Sequence, residues 1–257
     1  MVPEREPLPT RVQDTPALSA AYDGALERGL VALGLDLDDT ARAAIDGHVR
    51  LLLAWTTAIN LTAIRDPAAV AIGHVVDSLS ALTWLRDRGA ERILDLGSGG
   101  GYPGVPIAAA LREAHVTLLE PIAKKAGFLR AVVAATGLAE RVTVIADRAE
   151  ALAAGPVRRG TWSVVTARAV ASTADLVELA FPLLAPGGAL VAWKRGDLTD
   201  ELAAAARATD ALGGGNLEVR DVAIDELPDH RLVIATRTGR VPGAYPRDPS
   251  ARRRRPW

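Results

Sequence analysis

The chain has 257 residues, enough to bury one sizeable core, so one domain with terminal extensions is expected. Hydrophobic residues make up 49% and charged residues 24%, a soluble globular balance; the absence of cysteine excludes disulfides and thiolate metal sites. The formal net charge of −1 hides an asymmetry, because six arginines against one aspartate lie between Arg240 and Trp257, a basic tail on an acidic body.

The start, MVPEREPLPTRVQDTP, carries acidic residues and four prolines where a signal peptide needs an apolar stretch. Residues 1–16 are therefore expected to be a disordered leader. Residues 17–88 read as helical. One helix follows Asp38-Asp39-Thr40, with Ile45, Val49, Leu52 and Leu53 on one face, and another places Ile72, Val75, Val76, Leu79 and Leu82 at spacings of three and four. Between them Asn60 to Pro67 forms a loop, with Pro67 well placed to open the next helix.

From Glu91 the rhythm changes to short apolar runs alternating with helical stretches. Strands are expected at Arg92–Leu96, Val116–Glu120, Val142–Ala146, Ser163–Ala167, Ala189–Lys194, Leu217–Ile224 and Arg231–Thr236. Helices at Val105–Leu111, Lys124–Thr136, near Glu150, at Ala174–Leu184 and at Leu198–Leu212 separate the first six, which argues for a mostly parallel sheet covered on both faces. The last two strands have only Asp225–His230 between them, too few residues for a crossover helix, so an antiparallel hairpin is expected. The apolar run Leu176–Trp193 is broken by Glu178, Pro182 and Pro186-Gly187-Gly188 and reads as helix, turn and buried strand, not as a membrane span. The basic tail, residues 240–257, contains four prolines and is expected to be disordered; its arginines fit contact with a polyanion such as RNA, or a solvated end.

The most informative segment runs from Ile93 to Gly104, where a strand leads into five glycines within eight residues. Without Cβ atoms such a loop lets backbone approach a ligand closely. Glu120, 23 residues after Gly97 and at the end of the next strand, is placed to accept the hydroxyls of a ribose. Adenosine binding follows, with three sites at strand ends: Gly97 and Gly99, then Ala149 and Glu150, then Arg168. Gly99, Gly101 and Gly104 also satisfy GxGxxG, so a nicotinamide-dependent oxidoreductase stays in view. Asp95 two residues before the first glycine gives instead the D-x-G-x-G order of methyltransferases, and could organise the loop amides or meet a methionine amine. Pro103 and Pro106 make a poor seat for a pyrophosphate.

Taken together, several segments resemble one family, the bacterial 16S ribosomal RNA guanine-N7 methyltransferase G family, also called glucose-inhibited division protein B. They are Trp55 with Asn60-Leu61-Thr62, Arg65-Asp66-Pro67, His74-Val75-Val76-Asp77-Ser78, the loop from Asp95 to Pro106, Lys124 to Leu129, Arg148-Ala149-Glu150 and Arg168-Ala169. The resemblance runs from about Ala41 to Thr238. It implies a class I S-adenosylmethionine-dependent methyltransferase fold in the α/β class, Rossmann-like, with a mostly parallel seven-stranded sheet ending in an antiparallel hairpin. The methyltransferase domain would span residues 89–239, behind an N-terminal helical extension at 17–88.

By the same resemblance Gly97, Tyr102, Ala149, Glu150 and Arg168 match positions that bind the cofactor S-adenosylmethionine, Glu120 stands where the family often has an aspartate, and Asn60, His74 and Asp77 would border the substrate; Gly99 joins the expected cofactor residues from the glycine loop itself. Lys194, at the end of the fifth strand, would meet RNA phosphate or point into solvent. The chain departs from the family's usual pattern at Thr56, at Gly73 and in the G-S-G-G-G-Y loop. The implied partner is 16S ribosomal RNA or a small-subunit assembly intermediate, and the expected enzyme is cytoplasmic and monomeric, without metal or membrane attachment. The rivals are a methyltransferase for another RNA or a small molecule, an NAD-dependent oxidoreductase, and a non-catalytic RNA-binding module. No catalytic base is named, because guanine N7 offers a lone pair and carries no proton.

Overall fold

The computed structural model describes residues 7–155 and 157–257. Strands form wherever the sequence alternates between helical and short apolar runs: β1 (Arg92–Leu96), β2 (His115–Leu119), β3 (Val142–Ile145), β4 (Trp162–Arg168), β5 (Leu184–Arg195), β6 (Gly215–Asp221) and β7 (His230–Arg237). They make one sheet in the order β3-β2-β1-β4-β5-β7-β6. The first five pair in parallel, and β7 pairs antiparallel with both β5 and β6. The expected closing hairpin is therefore present. β5 starts earlier than expected, because Leu184 already pairs with Trp162 before a register shift brings Ala189 opposite Val164.

The helices are α1 (Ala20–Ala32), α2 (Asp39–Trp55), α3 (Pro67–Val70), α4 (Asp77–Leu79), α5 (Leu82–Asp87), α6 (Gly104–Ala110), α7 (Ala123–Ala135), α8 (Ala149–Ala154), α9 (Thr173–Ala180), α10 (Thr199–Ala211) and α11 (Pro249–Arg254). Asp38 caps α2 through Ala41 N, and Asp66 caps α3 in front of Pro67, as their sequence positions require. Between α3 and α4 the backbone is π-helical over Ala71–Val76, a departure from the regular helix that the three-four spacing predicts.

Two apolar cores cover the two faces of the sheet. Tyr22, Ile45 and Leu52 from the N-terminal helices join Val75, Leu82, Val105 and Phe128 on one face, with Ile93 and Val116 of the sheet. Leu152, Leu176, Phe181 and Ala208 join Leu94, Val165 and Leu190 on the other. The N-terminal helices thus help to build one of the two layers the sheet requires. The run Pro67–Asp87 is long and apolar enough to cross a membrane by length and composition, yet 56% of its window is buried in the fold. Val70, Val75, Val76, Leu79, Leu82 and Leu85 are its core side.

Both expected disordered ends are corrected within the described residues. Residues 1–6 of the leader lie outside them, but residues 7–16 pack along α2. Trp55 Nε1 donates to Pro9 O at 2.7 Å, Arg50 Nε to Pro16 O at 2.8 Å, and Val12–Asp14 make a 3₁₀ turn. The prolines leave their carbonyls free as acceptors for these long side chains. The basic tail is docked too. Its proline at 249 occupies the first helical position, where a missing N–H costs nothing, and Asp248 accepts from Ser250 N and Ala251 N at 2.9 Å.

Candidate active site

The strand order reverses between β1 and β4, and open α/β sheets hold ligands outside the carboxyl ends of strands at such a point. The glycine loop, residues 97–103, leaves β1 there. Gly97, Gly99 and Gly101 have φ of 73°, 53° and 92°, the left-handed region that glycine tolerates. Gly104, which opens α6, is needed for space: a Cβ there would lie 2.4 Å from Leu118 Cδ2 and 2.7 Å from Asp95 Oδ2.

Two buried carboxylates hold this loop. Asp95 Oδ1 accepts from Thr166 Oγ1 at 2.8 Å and Oδ2 from Gly104 N at 3.2 Å. Burial pushes the Asp95 carboxyl up to about 6 against those bonds. Asp95 is fully buried, so of its two expected roles the structure supports organising the loop and not meeting a ligand amine. Glu120 Oε2 accepts from Gly99 N at 2.9 Å and Oε1 from Ile122 N at 2.8 Å, which ties the loop to the end of β2. Each Glu120 oxygen keeps a second lone pair for a further donor.

Two cavities open at this edge. The smaller, about 230 Å³, is lined by Leu96, Gly97, Pro121, Asp147, Arg148, Ala149, Glu150, Val170 and Arg252. The larger, about 720 Å³, is lined by Thr62, Gly73, His74, Asp77, Arg168, Trp193, Lys194 and His230 among others. Val170, 38% exposed, lies between them; its Cγ2 would be 2.7 Å from a Cβ on Gly97. The preceding residue, Ala169, holds φ at 57°, an uncommon left-handed conformation for a side-chain-bearing residue. A further hollow of about 540 Å³, near Asp36, Glu91 and Ala114, is at the amino ends of β1 and β2 and away from the glycine loop.

A polar network lines the larger cavity. Arg168, at the end of β4, donates from one terminal nitrogen to Asp77 Oδ2 and to Gly73 O, both at 2.9 Å, and from the other to His74 Nδ1 at 3.0 Å. The Gly73 carbonyl lies in the π-helical stretch, where the widened turn rearranges the backbone bonding. Because Nδ1 accepts from a guanidinium, the His74 proton belongs on Nε2, which donates to Thr62 Oγ1 at 2.6 Å. Burial first, then the Arg168 charge, hold His74 down at about 4, so the ring is neutral near pH 7. The second Asp77 oxygen accepts from His230 Nδ1 at 3.0 Å. Trp193 Nε1 donates to the Asp77 carbonyl at 2.7 Å. The Tyr102 ring stacks with His74 and meets His48 at a tilt, at centroid distances of 4.7 and 4.5 Å, and the Arg168 guanidinium carbon lies 5.3 Å from its centre.

The expected residues divide clearly. Gly97, Ala149 and Glu150 meet at the smaller cavity, and His74, Asp77, Arg168 and Lys194 at the larger. Gly99 and Glu120 are joined in the loop clamp, and buried Tyr102 supports it from beneath. Asn60 is exposed and lines neither cavity; its near neighbour Thr62 takes the inward position. Lys194 does not reach freely into solvent: its Nζ pairs with Glu201 Oε1 at 2.5 Å and donates to Ala171 O at 2.7 Å. Sequence reasoning missed His230 and Trp193, and it read Arg252 only as one arginine of a basic tail for a polyanion. Only His230 carried a signal, as a histidine at the start of the last strand.

Sheet order, closing hairpin and glycine loop define the chain as a class I S-adenosylmethionine-dependent methyltransferase. The solved structures agree on the fold: the O-methyltransferase from Bacillus cereus in complex with SAH superposes with a TM-score of 0.54 at 14% identity, covering 84% of this chain and 100% of that one. The SAM-dependent O-methyltransferase from Thermotoga maritima gives 0.52 at 18% identity, covering 74% and 72%. The family described as GidB, rRNA small subunit methyltransferase G, matches residues 42–227, and the chain belongs to it. Relatives named ribosomal RNA small subunit methyltransferase G are 39% identical over 220 residues in Dehalococcoides mccartyi strain CBDB1, covering 85% of this chain and 93% of that protein. In Leptothrix cholodnii the identity is 46% over 169 residues, covering 65% and 75%.

Proposed function

We infer that this protein methylates N7 of a guanine in 16S ribosomal RNA, acting in the cytoplasm as a monomer on the RNA or on a small-subunit assembly intermediate. The observation that carries the choice of atom is the state of the polar groups around the larger cavity. Both Asp77 oxygens accept hydrogen bonds, and His74 has both ring nitrogens engaged, one by Arg168 and one by Thr62, while His230, held by Asp77 through Nδ1, keeps Nε2 outside the network. Such a site is built to hold and orient, and N7 is a nucleophile from which no proton need be removed. When bound, S-adenosylmethionine supplies an electrophilic methyl group on a sulfonium.

The cradle fits that cofactor. Gly97 and the segment 147–150 suit the adenine end, the Glu120 carboxylate retains acceptor capacity for a ribose hydroxyl, and the positive-φ glycines leave room for close approach. Arg168 lines the larger cavity, with the buried Tyr102 ring packed against its guanidinium. Residues 89–239 form the methyltransferase domain in this reading, and the extension at 17–88 contributes Thr62, His74 and Asp77. These side chains position the guanine and exclude water, which is where rate enhancement of an alignment-limited transfer arises. N7 sits on the major-groove edge, which side chains do not reach inside an A-form helix, so the target lies in an unpaired or distorted segment.

The test is direct. Purified protein is incubated with labelled S-adenosylmethionine and 16S ribosomal RNA, intact small subunits or total metabolites, and modified RNA is cleaved chemically at N7-methylguanine. One labelled guanine in the RNA is expected; label in metabolites alone, or at another base atom, overturns the proposal.

A further inference from the structure

The C-terminal segment, residues 245–257, is used neither by the glycine loop nor by the polar network, yet it is firmly held. Glu178 of α9, fully buried, accepts from Arg247 N at 2.7 Å, from Arg247 Nε at 3.0 Å and from an Arg247 terminal nitrogen at 2.6 Å. It also accepts from Trp257 Nε1 at 2.7 Å. The Arg247 guanidinium lies over the Trp257 ring, 4.7 Å from its centre, and both donate to the same Glu178 oxygen, which closes the segment into a strap.

Between these anchors α11 turns Arg252 inward. Its side chain is 12% exposed; one terminal nitrogen donates to Glu150 Oε1 at 2.5 Å and the other to Arg247 O at 2.9 Å. Arg252 is thereby a wall of the smaller cavity, together with Gly97 and the Asp147–Glu150 segment. Arg253, Arg254 and Arg255 carry most of the remaining positive charge of this end, and all three are exposed.

We propose that Arg252, delivered by the docked strap, is a cofactor-contacting residue that completes the adenine end of the site. The proposal rests on the reading of the smaller cavity as an adenine subsite. A guanidinium suits that role because it is flat, weakly hydrated and able to lie against an aromatic face, and here two fixed acceptors pre-set its plane. Glu150 is held by the same contact, so the residue at the cavity edge and the strap form one unit. A ligand that touches this unit must stabilise docking of the strap by as much as the docked strap strengthens the ligand.

S-adenosylhomocysteine is the probe, and the full chain is used throughout. Calorimetry of Arg252→Ala is expected to show a dissociation constant raised on the order of tenfold, the loss of one charged contact. In the methylation assay KM for S-adenosylmethionine should rise with kcat unchanged, since the larger cavity is untouched. Hydrogen exchange over residues 249–255 should slow in wild-type protein when S-adenosylhomocysteine is added. Glu178→Gln, which loosens the anchor without touching the cavity, should weaken binding in the same direction. A strap that only stabilises the fold would lower the melting temperature in both variants and leave the dissociation constant and the ligand-dependent exchange unchanged; that result overturns the proposal. Failure of the wild-type protein itself to bind S-adenosylhomocysteine would instead remove the cofactor reading on which it stands.

Discussion

Arg168 reaches back 91 residues along the chain to meet Asp77 at 2.9 Å, and both side chains are largely withdrawn from water, at 14% and 3% exposure. The pair joins the end of β4 to the helical segment that follows the π-helical turn, and it orients His74 and His230 at the same time. Replacing Asp77 by Ala would strand a guanidinium inside the fold and leave His230 Nδ1 without its acceptor. Breaking one side of a buried pair costs about 3–5 kcal/mol. Urea denaturation of Asp77→Ala should show a loss of that size, and a loss below about 1 kcal/mol would mean that water readily replaces the carboxylate.

Two glycines make a matched steric test. At Gly104 an added methyl would meet Leu118 and the Asp95 carboxylate at once, and backbone or core must move to admit it. Overpacking of this kind costs about 1–3 kcal/mol, and here it also displaces the Asp95 contact that sets the loop. At Gly127, inside α7, nothing lies within 4 Å of the added atom, and Ala there should stabilise the helix by up to about 1 kcal/mol. Thermal melts should therefore move in opposite directions, with S-adenosylhomocysteine binding weakened only in Gly104→Ala.

The sheet was legible because its physical signals are local. Each buried strand is a short apolar run ending in a turn, and the seven expected runs fall on the seven observed strands within a few residues. Gly97, Glu120 and Arg168 could be placed because strand ends at one edge of a parallel sheet must converge. What could not be read depends on contacts far apart in sequence. His230 matters because β7 pairs antiparallel with β5 and brings its first residue to Asp77. The strap was mistaken for disorder because proline counts describe a chain without partners, whereas Glu178 offers a buried charge that Arg247 satisfies. Asn60 and Thr62, two residues apart in an irregular connection, have no periodicity from which their directions could be told.

His230 tests the claim that no proton is removed. It donates from Nδ1 to Asp77, which leaves Nε2 as the one ring nitrogen at the larger cavity with no bond in the network. If N7 is the target, His230→Asn should keep kcat within about tenfold of wild type, since positioning alone is disturbed. Loss of a general base typically costs 10²–10⁴-fold. A fall of that size, with a bell-shaped pH profile in the wild-type protein, would point to a target atom that carries a proton.

The arginines of the C-terminal strap should act unequally on RNA. Arg247 and Arg252 already pair with Glu178 and Glu150, so their charges are neutralised within the fold. Arg253, Arg254 and Arg255 are exposed, and under the proposed function they are the ones that would meet phosphate. Each phosphate contact contributes about 0.9 to the slope of log affinity against log salt for duplex nucleic acid and about 0.7 for single strands. Replacing those three by Ala should lower the slope for 16S ribosomal RNA by roughly one to three, as filter binding at several salt concentrations would register. An unchanged slope would leave the strap with an intramolecular role alone.

Acid should destabilise the protein before its surface carboxylates titrate. His48 is fully buried against the Gly100 carbonyl, and burial holds its ring down at about 4; His74 stands at a similar value through burial and Arg168. An unfolded histidine takes up its proton near 6.5, so between that pH and about 4 the unfolded chain binds protons that the folded chain refuses. Stability present above 6.5 is lost through this window. Asp95 works the other way: its folded carboxyl, raised to about 6 by burial, is protonated while the unfolded group is still ionised, which favours the folded state as pH falls from about 6 toward 3.8. Burial also raises the Asp46 carboxyl, so two depressed histidines work against two raised carboxyls, and the histidines leave a net loss of stability from pH 6.5 to 4.5. Urea midpoints measured across that range should fall steadily, and a flat profile would mean that at least one of the two rings is protonated, and therefore hydrated, in the native protein.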